Sequence, residues 1–123
     1  MVARPAAPME KTMRMTVAAL LLTALPAPAV AGCFENLGTT GCTHLETFSR
    51  DDLRGLSCQN MWYVRNSIYN DNGYCFKTKA AKAEFDNSDC FVKDAAKLRL
   101  NRHEQANVDR IVRVEKEKGC RAP

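Results

Sequence analysis

The chain has few of the residues from which reactions or metal sites are built. It contains only two histidines, His44 and His103, and its six cysteines form no C-x-x-C pair and no zinc-finger cluster with histidine. A nucleophile and its base need a free Ser, Cys or Thr beside a histidine, and these cysteines are expected to be oxidised. His103 falls on the expected exposed side of a helix. We therefore predict no catalytic residue, no cofactor and no metal site.

Long runs of one charge sign or of apolar residues are also absent. After residue 31 the chain has 15 Lys or Arg against 13 Asp or Glu, without a basic strip interleaved with aromatics. This balance argues against nucleic-acid binding, which requires a strongly basic surface. The main apolar stretch, residues 15–25, is shorter than the ~20 residues of a membrane-spanning helix. Paired carboxylates are not selected by any spacing, so a glycoside-hydrolase pair cannot be assigned.

The first 31 residues have the layout of a secretory signal peptide. Lys11 and Arg14 form its basic region, residues 15–25 its apolar core, and Ala29-Val30-Ala31 a small-residue cleavage site. This order is kept whichever of Met1, Met9 and Met13 starts translation. We predict export to the periplasm or the medium of a bacterium, with cleavage after Ala31.

A lipobox is the alternative interpretation of the cleavage region. Val30-Ala31-Gly32-Cys33 would make Cys33 the lipidated first residue and would tether the protein to a membrane. That modification would leave five cysteines and strand one, whereas an even set is expected to pair in an oxidising compartment. We therefore favour cleavage after Ala31 and expect membrane association only if Cys33 is lipidated.

The exported part of 92 residues fits one small domain that benefits from cross-links. Residues 32–52 are rich in turn formers and are predicted to form an N-terminal disulfide loop. Residues 53–120 are predicted to form the domain itself. Its first helix follows Ser57 and has one apolar face, with Cys58, Met61, Trp62, Arg65, Ile68 and Tyr69 at helical spacing.

Two further helices follow a turn at residues 70–73. Thr78 can cap an Ala-rich segment over residues 79–85, and Asn101 and Glu104 have the spacing of a capping box at the start of the third helix. Gly119 is predicted to end that helix. The fold class is thus mainly α, a small three-helix domain with disulfides and irregular connections.

The cysteines are predicted to form three disulfides. Short loops favour Cys33 with Cys42 and Cys75 with Cys90. Antiparallel packing of the first and third helices favours Cys58 with Cys120, a link that closes the longest loop. These pairs are a prediction from loop length and packing, since six cysteines allow many connectivities.

The run from Trp62 to Phe76 resembles the signature of the YARHG domain of bacterial envelope and secreted proteins. The resemblance continues into a capped helix and covers residues 53–120. The matching residues are Trp62, Arg65, Asn66, Ile68, Tyr69, Gly73, Tyr74, Phe76, Leu100, Glu104, Asn107, Val108, Ile111 and Glu115. The A-R-H of the signature is replaced by Asn70, Asp71 and Asn72, so any basic surface that the tripeptide forms in relatives is missing here.

Arg65 is open to two interpretations. Beside Trp62 and Tyr69 it could bind a carboxylate or a sugar ring. Its place on the apolar face favours a structural role instead, in which it meets Glu104 or Glu115 on the third helix.

Asn66 shares this ambiguity, since with Arg65 it could form a ligand surface. The structural interpretation has its amide hydrogen-bonded to the turn at residues 70–73. We again favour the structural role over the ligand.

The resemblance implies an exported module without established biochemistry. We predict a non-catalytic interaction or envelope-associated protein, whose partner is an unknown envelope protein, cell-wall glycan or a foreign enzyme that it inhibits. A small periplasmic hydrolase or lyase is the second hypothesis, and it would need a pocket that gathers Arg65, a histidine and carboxylates. A lipid-anchored structural protein is the third.

Overall fold

The computed structural model describes residues 32–123, so the predicted signal peptide lies outside the described residues. In this part of the chain four α-helices follow one another without a β-strand. They are α1 (Arg50–Arg54), α2 (Cys58–Asp71), α3 (Lys79–Glu84) and α4 (Arg102–Glu117), with a 3₁₀ turn at Ala95–Lys97. The predicted class, mainly α with disulfide cross-links, is confirmed. Of the helices described, none has the length and apolar character needed to cross a membrane.

The predicted helix starts are those of the structure, because each has a side chain that accepts from the free amides of the first turn. Ser57 caps α2, Thr78 caps α3, and Asn101 caps α4 with Glu104 completing the capping box. The three predicted helices are therefore present within two residues of their expected ends.

The short helix α1 was not predicted. Its N-cap is Ser49, and Asp52 completes a capping box like the one on α4. Ser49 and Asp52 have capping-box spacing in the sequence, whereas the turn-rich composition of residues 32–50 predicts an irregular segment. The helix has five residues and depends on packing rather than on its own propensity. Its apolar contribution is Leu53, which is fully buried.

The main core lies between α2, α4 and the N-terminal segment. It contains seven buried apolar side chains: Leu37, Phe48, Leu53, Met61, Val64, Ile111 and Val114. The segment 32–52, predicted as a disulfide loop ahead of the domain, thus contributes Leu37 and Phe48 to the same core as the helices. Burying these side chains removes apolar surface from water, at roughly 1.5–3 kcal/mol for a fully buried large side chain.

A second core cluster consists mainly of aromatic rings. Trp62, Phe76, Ala81 and Phe85 are buried together on the other side of α2. Phe76 and Phe85 are stacked with ring centroids 4.9 Å apart, and Trp62 lies 6.1 Å from Phe85. These contacts hold the small helix α3 against α2, because offset and tilted aromatic pairs add to the gain from burial.

Gly73 reverses the chain after α2. Its φ of +87° is a left-handed conformation, and a Cβ there would come within 2.2 Å of the Phe91 ring. Only glycine satisfies both constraints. The turn is closed by the Tyr74 amide, which donates to the Tyr69 carbonyl at 3.1 Å.

The N-terminal segment is tied to α4 by the side chain of Asn107, which is fully buried. Its Nδ2 donates to the carbonyls of Thr43 and Glu46 at 3.0 and 2.8 Å, and its Oδ1 accepts from the Phe48 amide at 2.8 Å. One carboxamide therefore satisfies three backbone groups of an irregular segment that has no ladder of its own.

Glu46 closes the tip of the same segment. Its carboxylate accepts from the Thr39 and Thr40 amides at 2.8 and 2.7 Å, from the Thr40 hydroxyl at 2.7 Å and from the Gly41 amide at 3.2 Å. These hydrogen bonds, that of the Thr39 amide first, lower the pKa of Glu46 to about 2.

The structure contains three disulfides, with the same pairings as those predicted. They join Cys33 to Cys42, Cys58 to Cys120 and Cys75 to Cys90. Cys58 begins α2 and Cys120 follows the end of α4, so this link joins opposite ends of two helices that pack together.

Removing the Cys58–Cys120 link should cost more stability than removing the Cys33–Cys42 link. The first spans 62 residues and the second 9, so the chain-entropy model gives about 4 kcal/mol against about 2.5 kcal/mol. Urea unfolding of the two double Cys→Ala variants measures the difference. A larger loss for the short link would contradict the entropic explanation.

Glu46 should remain ionised in the folded protein well below its ordinary pKa. Because its pKa is lowered to about 2, its contribution to stability is complete above the unfolded-state value and is lost as the pH falls through about 2. NMR titration of the Glu46 carboxyl carbon measures this directly. Titration near the ordinary value of Glu would show that the tip of the segment is not held by this carboxylate.

Candidate functional site

The aromatic and aliphatic residues of the motif lie in the interior. Trp62, Ile68 and Phe76 are buried, and Tyr69 and Tyr74 pack against the aromatic cluster with their ring centroids 5.8 Å apart. They determine how α2, the turn and α3 fit together. The motif thus describes a packing arrangement.

Arg65 is engaged by Glu115, one of the two partners proposed for it. Its Nε and Nη2 donate to the two carboxylate oxygens of Glu115 at 2.8 and 3.1 Å. The side chains are 21% and 14% exposed. Burial opposes the charge of Arg65, but the hydrogen bonds and charge of Glu115, with help from Tyr69, raise its pKa above the ordinary value.

Asn66 does not contact the turn as predicted. Its residue exposure is 7%, and its Nδ2 donates to the Trp62 carbonyl one helical turn earlier at 2.8 Å. The side chain is buried, and its amide is used by a carbonyl of its own helix. The predicted ligand surface of Arg65 and Asn66 therefore lacks an exposed Asn66 amide.

The turn is held by Asn72 and Glu104 instead. Asn72 Nδ2 donates to the Ile68 carbonyl and to Glu104 Oε2, both at 2.8 Å. The other oxygen of Glu104 accepts from the Asn101 amide at 2.9 Å. Glu104 thus caps α4 and fixes the end of α2 with one carboxylate.

An open cleft between α1 and α4 collects four arginines. Its volume is about 450 Å³, and it is lined by Ser49, Arg50, Asp51, Arg54, Arg110 and Arg113. Arg50 and Arg54 are one helical turn apart on α1, and Arg110 and Arg113 are one turn apart on α4. Side chains at these spacings share a face of their helix, so the two pairs face the same space.

The cleft carries an excess of positive charge. Glu117 pairs with Arg50 and, at 3.3 Å, with Arg54, and Asp51 lies 3.2 Å from Arg54. These two carboxylates leave two of the four guanidinium charges without an acidic partner among residues 32–123. Arg113 in particular is exposed and forms no salt bridge within this range.

Arg110 is fixed in the wall of this cleft. Its Nη1 donates to the Phe48 carbonyl at 2.8 Å, and the Phe48 amide donates to Asn107. The backbone that leads into α1 is therefore held to α4 on both sides of Phe48. This arrangement leaves the remaining guanidinium donors of Arg110 available to an anion.

Sequence reasoning did not find this cleft. The net charge is small, and the arginines are spread over two segments without a basic run. The i,i+4 and i,i+3 spacings of these arginines indicate a shared helix face only where a helix is present. For Arg50 and Arg54 that helix is α1, which was not predicted.

The two histidines lie outside the cleft lining. The Nδ1 of His103 is 2.8 Å from the Thr47 hydroxyl, so this residue is partly buried and not on the exposed side as expected. His44 lies beside Gly32. In the described part of the chain, no three His, Cys, Asp or Glu side chains gather as a group that could hold a metal.

The Arg65–Glu115 pair should matter far more than an exposed pair. Glu115→Gln leaves a partly buried guanidinium without its counter-charge, and we expect a loss of about 2–3 kcal/mol in the free energy of unfolding. Asp51→Asn, which removes an acidic partner of exposed Arg54, is the matched control and should cost below about 1 kcal/mol. Urea unfolding compares them, and equal losses would contradict a structural role for Arg65.

The comparison with protein families covers the part of the chain that forms the interior. A family model described as YARHG domain matches residues 41–116, from within the disulfide-closed segment to the end of α4. No curated protein and no solved structure matches the chain. Because the family model covers more than half of the 123 residues, the protein belongs to the YARHG domain family.

Proposed function

We propose that the protein is an exported, non-catalytic interaction module whose arginine cleft binds carboxylate or phosphate groups of the bacterial cell envelope. The observation that carries this proposal is the excess of guanidinium charge in an open cleft between α1 and α4. Guanidinium groups present donors in a planar fork that fits both kinds of anion.

The first partner to consider is cell-wall glycan, whose peptide stems carry carboxylates. An open cleft suits a repeating polymer, since many copies of a weak site can be engaged along one wall. An anionic patch on another envelope protein, or on a foreign enzyme, has the same chemistry and is the alternative outcome of the experiment below.

The three disulfides and the family indicate an extracytoplasmic protein. Within that compartment, the signal-peptide layout of residues 1–31 supports release into the periplasm or the medium. Cys33 forms a disulfide with Cys42, and this bond uses the sulfur that lipidation would need. We therefore favour a diffusible module over a lipid-anchored one.

A hydrolase or lyase is less well supported. The second hypothesis required Arg65, a histidine and carboxylates in one pocket, whereas Arg65 is occupied by Glu115 and the arginine cleft is lined by no histidine. The chemistry of the cleft is that of anion recognition.

Co-sedimentation with purified cell-wall sacculi tests the proposal on protein isolated from the envelope. We expect the wild type to be retained and Arg113→Gln to bind about tenfold more weakly, because it removes a charge-assisted hydrogen bond. Arg102→Gln removes the same charge from an exposed site on α4 outside the cleft and should bind like the wild type.

Two outcomes would count against the proposal. Absence of wild-type retention would exclude the glycan and direct the search to an anionic protein. Equal weakening by both substitutions would show that binding follows net charge and does not use the cleft.

A further inference from the structure

Gly32, the residue that follows the predicted cleavage site, is buried in a polar environment. A Cβ atom at this position would lie 2.7 Å from Asp71 Oδ2, 3.2 Å from Thr43 Oγ1 and 3.8 Å from His44 Nδ1. Asp71 ends α2, while Thr43 and His44 directly follow the loop that the Cys33–Cys42 disulfide closes. Three polar groups from two parts of the fold therefore meet around one backbone carbon.

Among residues 32–123, the Thr43 hydroxyl is buried without a hydrogen-bond partner, and Asp71 is an exposed carboxylate without an ion pair. Burial first and the charge of Glu104 second raise the pKa of Asp71, while His44 acts in the opposite direction. A cation here would give the buried Thr43 hydroxyl a hydrogen-bond partner, as buried polar groups normally have. It would also give the exposed Asp71 carboxylate a counter-charge.

Signal-peptide removal would supply that cation. Hydrolysis of the Ala31–Gly32 bond by water gives the Ala31 carboxylate and a Gly32 amine, which is protonated at neutral pH. We propose that Asp71 and Thr43 form a binding site for the α-ammonium of Gly32, so that cleavage after Ala31 completes the fold of the exported protein.

The α-ammonium nitrogen of Gly32 would lie close to the Asp71 carboxylate. By standard backbone dimensions the nitrogen lies about 2.5 Å from the Cβ position, so it is at most roughly 5 Å from Asp71 Oδ2. An opposite charge at this distance stabilises both ions. An ammonium has three donors that turn about the N–Cα bond, whereas an amide has one in a fixed plane.

Gly32 is also suited to the first position. Its φ is +78°, and a Cβ would collide with Asp71 Oδ2, so a side chain here would fill the space in which the ions meet. Its carbonyl accepts from the Thr43 amide at 2.8 Å, and the next residue, Cys33, is held by the disulfide to Cys42. The terminus is therefore held without help from residues that precede it.

The charged groups around the site favour a cation overall. Glu104 on α4 acts on Asp71 through its charge, and Glu84 and Asp86 line the groove that contains Gly32. His44 is the group that acts on Asp71 in the opposite direction. The balance is negative, so the ammonium should hold its proton more tightly in the folded protein.

Competitive labelling with trace acetic anhydride tests the proposal on protein purified from the envelope. The rate of Gly32 acetylation is followed from neutral to alkaline pH, in the folded protein and in the reduced, unfolded protein. We expect the folded α-amino group to hold its proton at least about tenfold more tightly. Its contribution to stability is then complete below the unfolded-state pKa and lost as the pH rises through the folded pKa.

Asp71→Asn should reduce this difference in proton affinity to below about threefold, because the amide carries no charge. Glu84→Gln removes a carboxylate from the same groove that is not among the groups nearest to Gly32, and it should reduce the difference less than Asp71→Asn does. Equal titration of the folded and unfolded wild type, or equal effects of the two substitutions, would overturn the proposal. So would an N-terminus at any residue other than Gly32.

A second measurement does not require labelling. Asp71→Asn should lower the urea midpoint of the mature protein and should not lower that of a form that retains Ala31, in which Gly32 has no ammonium. Equal losses in the two forms would show that Asp71 acts without the terminus. If Asp71→Asn does not fold, the acetylation titrations of the folded and unfolded wild type test the proposal by themselves.

Discussion

The buried carboxamide of Asn107 is the contact on which the rest of the structure depends. It binds three backbone groups of a segment that has neither a helix nor a strand to satisfy them. Thr43 and Phe48 stand at the two ends of the bound stretch. Thr43 carries the hydroxyl beside Gly32 that has no partner among residues 32–123, and the Phe48 carbonyl fixes Arg110 in the cleft. Both proposed sites therefore depend on one side chain of α4.

The family signature has a physical explanation in this arrangement. Trp62, Ile68 and Phe76 fill the interior, Gly73 makes a turn that other residues cannot make, and Glu104 holds that turn to α4. These residues specify how the helices pack. The proposed recognition surface instead consists of arginines on the outer faces of α1 and α4. A signature that describes packing leaves the partner free to differ between relatives.

The fold was largely predictable because its signals are local. Helix ends follow from Ser57, Thr78 and the Asn101–Glu104 box, each of which acts within one turn. The disulfide pairs were accessible from loop length and from the packing expected for two helices. The polar contacts were harder to predict. The Asn66 amide can reach acceptors both in its own helix and in the turn, and its position in the sequence does not decide between them. The arginine cleft and the site at Gly32 require two segments to meet, which no single window of sequence reveals.

Hydrogen exchange at the Phe48 amide tests the role of Asn107 most directly. This amide lies in an irregular segment and donates to Asn107 Oδ1, so its protection reports whether the segment is an integral part of the core. We predict that it exchanges only on global unfolding, with the same opening free energy as the amide of Ile111 in α4. Exchange at the rate of an exposed loop, while Ile111 stays protected, would contradict the claim that Asn107 joins the segment to the helices.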